Sequence, residues 1–320
     1  MTSQRSMHSL VQEYLDDRHR CGFALTAPGF QLRAFARFAD QSGHRGPLTR
    51  RIVLDWVQGQ KPFAKRMVWA ARLKIIRPFA AYRARFDPQT EIPDARMFGK
   101  SSVRITPHIY TDQEILDLLD AARGMRPRGR LRPTTYETLF GLLAATGLRI
   151  SEALHLRYAD VDFTQGIVTV RQTKFTKSRL VPFHPTVCAA LQRYTAVRQL
   201  CAPVSPEAFV FVSSVGAALP VRTVQNVFAR LRTDLGWISR GARAVPRIHD
   251  LRHTFICRRV QLWYQQGANI ENAMAALSTY VGHGSVSETY WYLTGIPELM
   301  AIAGRNFEKF AAKSREGGRG

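Results

Sequence analysis

The stretch TGLRISE, residues 146–152, follows a long apolar segment and precedes a second, short helical segment. The apolar residues of Thr134–Ala145 predict a helix, which Thr146-Gly147 interrupts because glycine permits the turn conformations that end helices. A second helix is predicted from Ser151 to His155, with Arg149 at its start. A guanidinium beside a helix N-terminus is suited to hold phosphate oxygens. Taken alone, the segment is better explained by Arg149 as an ordinary surface arginine.

A second segment, RIHDLRH at residues 247–253, carries an imidazole close to a guanidinium. His249 and Arg252 are three residues apart, so they share one face of a predicted helix that starts near His249. Such a pair suits proton handling next to an anion. The H-x-x-R pattern alone is weak, since many helices carry it by chance. His253 is assigned to a different face and to a structural role.

The third segment is TYVGHGSVSETYWYLTG, residues 279–295. His283 follows a predicted helix end, and Tyr292 lies nine residues later on the next helix. A tyrosine hydroxyl has an ordinary pKa near 10, so only a special setting makes it reactive at neutral pH. Tyr290 lies about 200° round the helix from Tyr292, so both cannot face one phosphate. Tyr280 precedes the Gly-His turn and is predicted to pack.

The charge of the chain predicts a polyanionic partner. The 320 residues carry a formal net charge of +22, and 45% of them are hydrophobic, which is enough for a packed core. Basic residues recur from Arg33 to Arg259 and do not form a single tail. Nucleic acid, bound with strong salt dependence, is therefore the predicted partner, and an anionic membrane surface is the weaker alternative.

The cysteine pattern indicates a reduced compartment. None of the four cysteines forms a C-x-x-C pair or a His/Cys cluster with zinc spacing, so no metal site is predicted. The first twenty residues lack the apolar stretch of a secretory signal, and no apolar run reaches the ~18 residues that span a bilayer. These observations predict a cytoplasmic protein that does not span a membrane.

The chain divides into two predicted domains. Residues 1–100 read as helical, residues 101–110 form a linker inside a proline-containing segment, and residues 111–320 form the second domain. The second domain is mostly helical, with two short strands at Ile167–Val170 and Arg179–Phe183 and a tail helix at the end. A capping box, Thr111-x-x-Glu114, marks its first helix. The fold class is therefore mainly α with a small antiparallel β-sheet.

The region from residue 61 to residue 86 mixes basic and aromatic side chains, so one face can pack while the other meets phosphates. For any single residue, a solvated basic face is about as good an explanation as a DNA contact. The candidate DNA-binding residues here are Lys65, Arg66, Arg72, Lys74 and Arg77.

Together and in this order, the three segments resemble the tyrosine recombinase (phage integrase) family. The resemblance covers roughly residues 108–310. The family's first-arginine box is matched by Thr146 to Glu152, and its H-x-x-R box by His249 and Arg252. Its Gly-His box, followed nine residues later by the nucleophilic tyrosine, is matched by His283 and Tyr292.

The family also has a catalytic lysine in a β-hairpin. Counting back from the strand that starts at Arg179, this lysine falls on Lys174, and Lys177 is the alternative. Thr173 and Phe175 stand where the family usually has glycines. Lys177 and Arg179 are further candidates for DNA contact.

The resemblance implies a mechanism for cutting a DNA phosphodiester. Arg149 and Arg252 would hold the non-bridging oxygens, and Tyr292 would form a 3′-phosphotyrosyl bond. Lys174 would protonate the 5′-oxygen, His249 would assist proton transfer from the tyrosine, and His283 would donate to the phosphate. Glu152 is expected to orient a neighbour in a supporting role. No metal, ATP or other cofactor is implied.

The resemblance also implies an assembly. The N-terminal domain would be the family's helical, SAM-like core-binding domain, and the two domains would form a C-shaped clamp on double-stranded DNA with specific recombination sites. Protomers that are monomeric when free would form a tetramer on DNA. Leu299, Ile302 and Phe310 on the tail helix would dock on a neighbour, or else pack on their own domain.

Two other functions remain open from the sequence. A type IB topoisomerase-like nicking and closing enzyme would use the same residues, although the chain length and two-domain layout favour recombination. A non-catalytic architectural DNA-binding protein would share the charge, although the complete catalytic set argues against it. The target sequence, and the choice among integration, excision, transposition and resolution, are not encoded in these motifs. The N-terminal half suggests a bacterial mobile element.

Overall fold

Apolar residues of the N-terminal segment recur at helical spacing, and the computed structural model places them in helices. The structure describes residues 5–59, 66–101, 105–127, 131–171, 178–201 and 204–295. By their internal contacts the residues group into two units, Met1–Arg104 and Ile105–Gly320. The helices of the first unit are α1 (Met7–Arg20), α2 (Thr26–Gln41), α3 (Arg50–Gly59) and α4 (Arg66–Arg83).

Aromatic rings hold the first unit together. Phe35 of α2 meets Trp56 of α3 edge-on at 5.6 Å between ring centroids, and Tyr14 of α1 meets Phe79 of α4 at the same distance. All four side chains are at most 4% exposed. Edge-to-face aromatic pairs add to the stabilisation from area burial, so these contacts fix how the four helices pack.

The second unit is also mainly helical within its described residues. Its helices are α5 (Asp112–Arg123), α6 (Leu131–Thr146), α7 (Ile150–Leu154), α8 (Pro185–Gln199), α9 (Val221–Asp234), α10 (Asp250–Gln266), α11 (Ile270–Val281) and α12 (Ser287–Gly295). The predicted capping box is confirmed at the start of α5. The backbone N–H of Glu114 donates to Thr111 Oγ1, and the backbone N–H of Thr111 donates to Glu114 Oε2.

A small antiparallel sheet lies beside these helices. Its strands are β1 (Val161–Asp162), β2 (Ile167–Val170) and β3 (Arg179–Pro182), in that spatial order. Val168 pairs with Val181, and both are fully buried. The fold class predicted from the sequence, mainly α with a small antiparallel sheet, is therefore confirmed. The two-residue strand β1 is an addition to the predicted pair.

Part of the segment predicted to be a linker packs into the second unit. His108 and Tyr110 are each 1% exposed, the backbone N–H of Tyr110 donates to Thr254 Oγ1, and the Tyr110 hydroxyl donates to the carbonyl of Arg247. The second unit accordingly begins at residue 105. The prolines suggested a linker, but the aromatic side chains after them are core residues.

The end of α6 is built around a close contact. Gly147 has a φ of +64°, and a Cβ at this position would lie 2.5 Å from the ring of Phe255 on α10. Only glycine fits both the left-handed conformation and the space. The contact brings the residues after α6 against the start of α10. Within the part of the chain that is described, no helix has the length and apolar character needed to cross a bilayer.

Candidate active site

Three arginines from separate segments donate to three successive carbonyl groups at the C-terminal end of α11. The pairs are Arg179 with Tyr280 at 2.7 Å, Arg252 with Val281 at 2.6 Å, and Arg149 with Gly282 at 2.9 Å. The last carbonyls of a helix have no partner within the helix and carry partial negative charge, so guanidinium groups satisfy them well. This arginine cluster brings together residues far apart in the sequence.

Arg252 is the most deeply placed of the three. It lies in the first turn of α10 and is only 3% exposed. Its Nη1 also donates to the carbonyl of Gly147 at 2.8 Å. Burial, together with the positive charge of Arg149, lowers the pKa of Arg252 to about 10. The guanidinium therefore stays protonated at neutral pH while most of its water shell is gone.

Glu152 neutralises part of this positive charge. Its carboxylate accepts from Arg149 Nη1 at 2.8 Å and from Arg179 at 3.1 and 2.8 Å. Burial alone would raise its pKa, but the hydrogen bonds and charge of Arg179 and the bonds from Arg149 lower it to about 2. Glu152 is thus ionised at working pH and accepts hydrogen bonds from two arginines, and its supporting role in catalysis stays a prediction.

Arg179 does not have the geometry of the DNA contact predicted from the sequence. Its side chain is 9% exposed, and its Nε, Nη1 and Nη2 atoms all donate to protein oxygens. The prediction rested on charge and on position in a strand, which do not reveal which side of the sheet is covered. In the structure Arg179 links β3 to α7 and α11 and holds Glu152 in place.

Gly282 sets the turn that presents His283. Its φ is +68°, and a Cβ there would lie 2.8 Å from Nη1 of Arg179. His283 follows directly, and its Nδ1 lies 2.6 Å from Oγ1 of Thr289, a fully buried residue of α12. The imidazole is therefore held between the end of α11 and the start of α12, beside the carbonyl that binds Arg149.

Tyr292 is distinguished from the other two tyrosines of its segment by position. It is 3% exposed, and its hydroxyl oxygen lies 2.6 Å from Nδ1 of His253. Tyr290 is 39% exposed, two residues earlier on α12. Tyr280 donates its hydroxyl to the carbonyl of Pro182 and stacks on Phe255, which is a packing role. The ring of Tyr292 also stacks with that of His283 at 6.3 Å.

The assignment of His253 to a different face from His249 is wrong. His249 is the N-cap of α10, and the rings of His249 and His253 meet edge-on at 4.9 Å. Residues four apart are neighbours on a helix, just as residues three apart are. His253 therefore belongs to the same cluster as His249 and Arg252. The H-x-x-R-H spacing already indicates this grouping, because Arg252 and His253 are three and four residues after His249 and both lie beside it on a helix.

Part of this cluster borders an open cleft of about 1220 Å³ in the second unit, whose lining among the described residues does not include Arg252, His253 or Tyr292. Arg149, Glu152, Arg179 and His283 line one part of it. Another part is lined by two arginines in ion pairs, Arg157 with Glu207 and Arg171 with Asp160. The lining thus combines four arginines with four acidic residues, and ion pairs join each of these arginines to Glu152, Glu207 or Asp160.

The remaining predicted residues fall into two groups. Lys174, Lys177 and Lys65 lie outside the described residues, as do Leu299, Ile302 and Phe310 of the tail. On α4, Arg66 and Lys74 are exposed. Arg72 and Arg77 are half-buried and donate to the carbonyls of Val57 and Pro93 at 3.1 and 2.8 Å, so they support the first unit from within.

The electrostatics of His253 give a stability prediction. Burial, then the neighbouring His249, Arg247, Arg252 and His283, lower the pKa of His253 to about 3. Below about pH 6.5 the imidazole of His253 therefore binds a proton in the unfolded chain but not in the folded chain. The free energy of unfolding keeps the full contribution of His253 above about pH 6.5 and declines as the pH falls toward 3. Lowering the pH from 7 to 5.5 should cost about 1 kcal/mol through His253.

Calorimetry of the wild type and of His253→Asn across this pH range measures that contribution. We expect the melting temperature of the wild type to fall by ~2–4 °C more than that of the variant. Parallel curves for the two proteins would contradict the buried, neutral state of His253. Burial and the charge of Arg252 also lower the pKa of His249. His249 is present in both proteins, so the difference between their melting curves reports on His253.

The fold and the convergence of the three segments define a class of DNA strand-transfer enzyme. The sequence model of the phage integrase family matches residues 99–295, and the chain therefore belongs to this family. Its members include tyrosine recombinases, and this protein is a site-specific recombinase of that kind.

The relatives agree over nearly the whole chain. "Putative integrase/recombinase y4rB" of Sinorhizobium fredii is 40% identical over 305 residues, covering 93% of this chain and 96% of its own length. The tyrosine recombinase XerC of Oceanobacillus iheyensis is 26% identical, with 82% of each chain covered. Among solved structures, the Tn1549 transposon integrase in complex with transposon right end DNA has a TM-score of 0.69 at 18% identity, covering 96% of this chain and all of its own. That last likeness concerns the fold.

Proposed function

We propose that this recombinase cuts and rejoins double-stranded DNA through a covalent 3′-phosphotyrosyl intermediate on Tyr292. The observation that carries the proposal is the convergence of Arg149, Arg252, His283 and Tyr292 around the end of α11. These residues come from three segments, and Arg149 and Arg252 are 103 positions apart in the sequence. Packing alone does not require such a grouping of charge and phenol.

Arg149 and Arg252 would bind the non-bridging oxygens of the scissile phosphate. A guanidinium keeps its charge at any working pH and has five N–H donors, so donation to a carbonyl leaves capacity for a phosphate oxygen. The pentacoordinate transition state carries more negative charge than the diester. Charges that are already oriented in a site shielded from water stabilise that increase most.

The covalent step would balance as follows. The oxygen of Tyr292 attacks phosphorus while the bond to the 5′-oxygen breaks, and the phenolic proton leaves with the assistance of His249. The hairpin lysine, Lys174 or alternatively Lys177, gives a proton to the departing 5′-oxygen, and His283 donates a hydrogen bond to the phosphate. Because the phosphotyrosyl bond retains the energy of the diester, the reverse reaction joins strands without ATP.

The first unit would serve as the DNA core-binding domain and, with the second, would enclose the duplex. Support comes from the net charge of +22 and from the exposed basic residues of α4. A protein that neutralises phosphates releases counterions, so its affinity falls steeply with salt. The sequence predicts domains at residues 1–100 and 111–320. Because His108 and Tyr110 pack into the second unit, we propose that the second domain begins at residue 105.

Arg66→Ala and Lys74→Ala should each weaken binding to duplex DNA and reduce the slope of log affinity against log salt by about one. Both side chains are exposed on α4, where phosphate contact is sterically open. Fluorescence anisotropy at several salt concentrations measures both quantities. The matched control is Glu13→Ala, which removes an exposed acidic residue of the same unit. Unchanged slopes in both α4 variants would exclude this helix from the DNA interface.

The biological reaction proposed is movement of a bacterial mobile element by site-specific integration, excision or transposition. The relatives and structural neighbours of this chain include integrases, recombinases and a transposon integrase, which supports this class of reaction. Four protomers, monomeric when free, would hold two duplexes in a synapse. Size-exclusion chromatography with light scattering, with and without the bound duplex, tests this stoichiometry.

The direct test of function traps the covalent complex. A duplex sequence selected by the full-length protein from a randomised library is rebuilt with a nick near the cleavage point, so that a short fragment diffuses away and religation fails. We expect a protein–DNA adduct with the wild type and none with Tyr292→Phe. Absence of any adduct with the wild type would favour an architectural protein. Relaxation of supercoiled DNA without strand exchange between two marked sites would favour a topoisomerase.

A further inference from the structure

The hydroxyl oxygen of Tyr292 has a direct partner that the mechanism above does not use. It lies 2.6 Å from Nδ1 of His253, and the two ring centroids are 5.5 Å apart. The distance is short for a hydrogen bond between an oxygen and a nitrogen. The imidazole in contact with the nucleophilic oxygen is thus His253, one residue beyond the H-x-x-R box.

The ring of His253 is fixed from several sides. It stands in the first two turns of α10, meets the ring of His249 edge-on at 4.9 Å and lies 6.5 Å from the ring of Trp291 on α12. The charged and titratable groups that face it are His249, Arg247 and Arg252 from its own segment, and His283 and Tyr292 from beyond α11. A ring held this way cannot turn freely, so its Nδ1 defines one direction for a hydrogen bond.

We propose that His253 is a further catalytic residue, which accepts the hydrogen bond of the Tyr292 hydroxyl and aims the oxygen at the phosphate. This inference rests on the proposed phosphotyrosyl chemistry. A phenol that donates its proton to Nδ1 leaves the lone pairs of its oxygen free to face phosphorus. The inference concerns the direction of the hydroxyl before attack. As the bond to phosphorus forms, the phenolic proton leaves through His253 to His249, whose rings meet edge-on at 4.9 Å.

The positive charges around His253 favour the acceptor role. With Arg247 and Arg252 nearby, a cationic imidazole is disfavoured, and burial lowers the pKa of His253 further. The ring is then neutral, with one nitrogen protonated and the other available as an acceptor. If Nε2 carries the proton, Nδ1 accepts from the phenol. If Nδ1 carried the ring proton, the oxygen of Tyr292 would instead accept a hydrogen bond from it. One electron pair of that oxygen would then be engaged with His253 and not directed at phosphorus.

Two substitutions separate the acceptor from the mere presence of a ring. The side-chain oxygen of asparagine can occupy the place of Nδ1, whereas phenylalanine keeps the ring and removes the acceptor. Single-turnover cleavage of the nicked duplex is measured at saturating protein for His253→Asn, His253→Phe and the exposed control His8→Phe. We expect His253→Phe to cleave at least ~100-fold more slowly, since small misplacements of a reacting atom cost about this much. His253→Asn should stay within about tenfold of the wild type, with DNA affinity unchanged in both.

Equal cleavage rates for His253→Asn and His253→Phe, whether fast or slow, would overturn the inference. A merely structural histidine would give that result, because a packing role does not depend on whether the replacement side chain has an acceptor oxygen. Loss of DNA affinity in His253→Phe in proportion to the loss of rate would also overturn it.

A second measurement does not depend on cleavage. Long-range ¹H–¹⁵N spectra of protein labelled at its histidines report which ring nitrogen is protonated, and the signals of His253 are those missing in His253→Asn. We expect a neutral ring with the proton on Nε2 and an Nδ1 signal that shifts in Tyr292→Phe. A proton on Nδ1, or signals that do not respond to Tyr292→Phe, would overturn the inference.

The two measurements keep this inference separate from the proposed function. If the wild type forms no covalent adduct, the proposed function fails, and the spectra still decide whether Tyr292 donates to His253. If the wild type forms an adduct that Tyr292→Phe abolishes and His253→Phe leaves at full rate, the proposed function stands and the role of His253 falls.

Discussion

Replacing Arg252 with alanine should slow strand cleavage by roughly 10²–10³-fold, the loss typical of removing one charged or hydrogen-bonding group from a developing oxyanion. Arg252 is 3% exposed and anchored to the carbonyls of Gly147 and Val281. Its charge is therefore already oriented in a poorly hydrated site before DNA arrives. The measurement is the single-turnover rate of covalent adduct formation on the nicked duplex.

Arg258→Ala is the matched control for Arg252→Ala. Arg258 lies on the same helix and donates to the backbone carbonyl of Tyr110 at 2.9 Å, away from the arginine cluster. Its loss should change the cleavage rate by no more than about threefold. Arg252→Lys keeps the charge but cannot reach both carbonyls in the planar geometry of a guanidinium, so we expect it to remain strongly impaired. Wild-type cleavage by Arg252→Ala would contradict its assignment.

Glu152→Ala should destabilise the second unit by ~3–5 kcal/mol, the cost of leaving buried charges without their partner. The side chains of Glu152 and Arg179 are each 9% exposed, and Arg149 shares the same carboxylate. Removing it places two guanidinium groups side by side with no anion between them. We expect the melting transition of this unit to fall by roughly 10 °C in calorimetry.

Glu137→Ala provides the comparison for Glu152→Ala. Glu137 pairs with Arg123 at 2.7 Å, but the side chain of Arg123 is 62% exposed. Such surface pairs contribute about 0–1 kcal/mol, so the melting temperature should hardly move. If the two variants melted at the same temperature, Glu152 would not be the buried centre of the arginine cluster.

The sequence motifs located Arg149, Arg252, His283 and Tyr292 because the family pattern fixes residue types at short spacings. Apolar patterning also predicted helices at Thr134–Ala145 and Ser151–His155, which the structure places at Leu131–Thr146 and Ile150–Leu154. The contacts between segments were beyond such reasoning. Nothing in the local sequence indicates that carbonyls at the end of α11 receive arginines from β3, α7 and α10.

His253 and Arg179 show where one-dimensional reasoning fails. From the sequence, His253 is placed on a different helix face from His249 and Arg252. Residues four apart, such as His249 and His253, are nevertheless neighbours on a helix. Arg179 looked like a DNA contact because arginines on strands are usually exposed, and its burial depends on Glu152 and Tyr280 from other elements. In both cases the partner that decides the role lies more than 25 residues away along the chain.

The hairpin lysine is a different case. Lys174 and Lys177 were distinguished only by counting from Arg179, and both lie outside the described residues. Cleavage of a duplex with a sulfur at the bridging 5′ position separates them, because a thiolate leaves without a proton. We propose that this substrate restores cleavage in Lys174→Ala and that Lys177→Ala needs no such rescue.

We propose that one hydroxyl, that of Tyr292, forms the covalent bond to DNA. Mass spectrometry of the peptide that remains attached to nucleotide after digestion of the trapped adduct identifies the residue. We expect a nucleotide mass on Tyr292, the buried tyrosine beside His253. A nucleotide on Tyr290, Tyr280 or any residue outside α12 would contradict it.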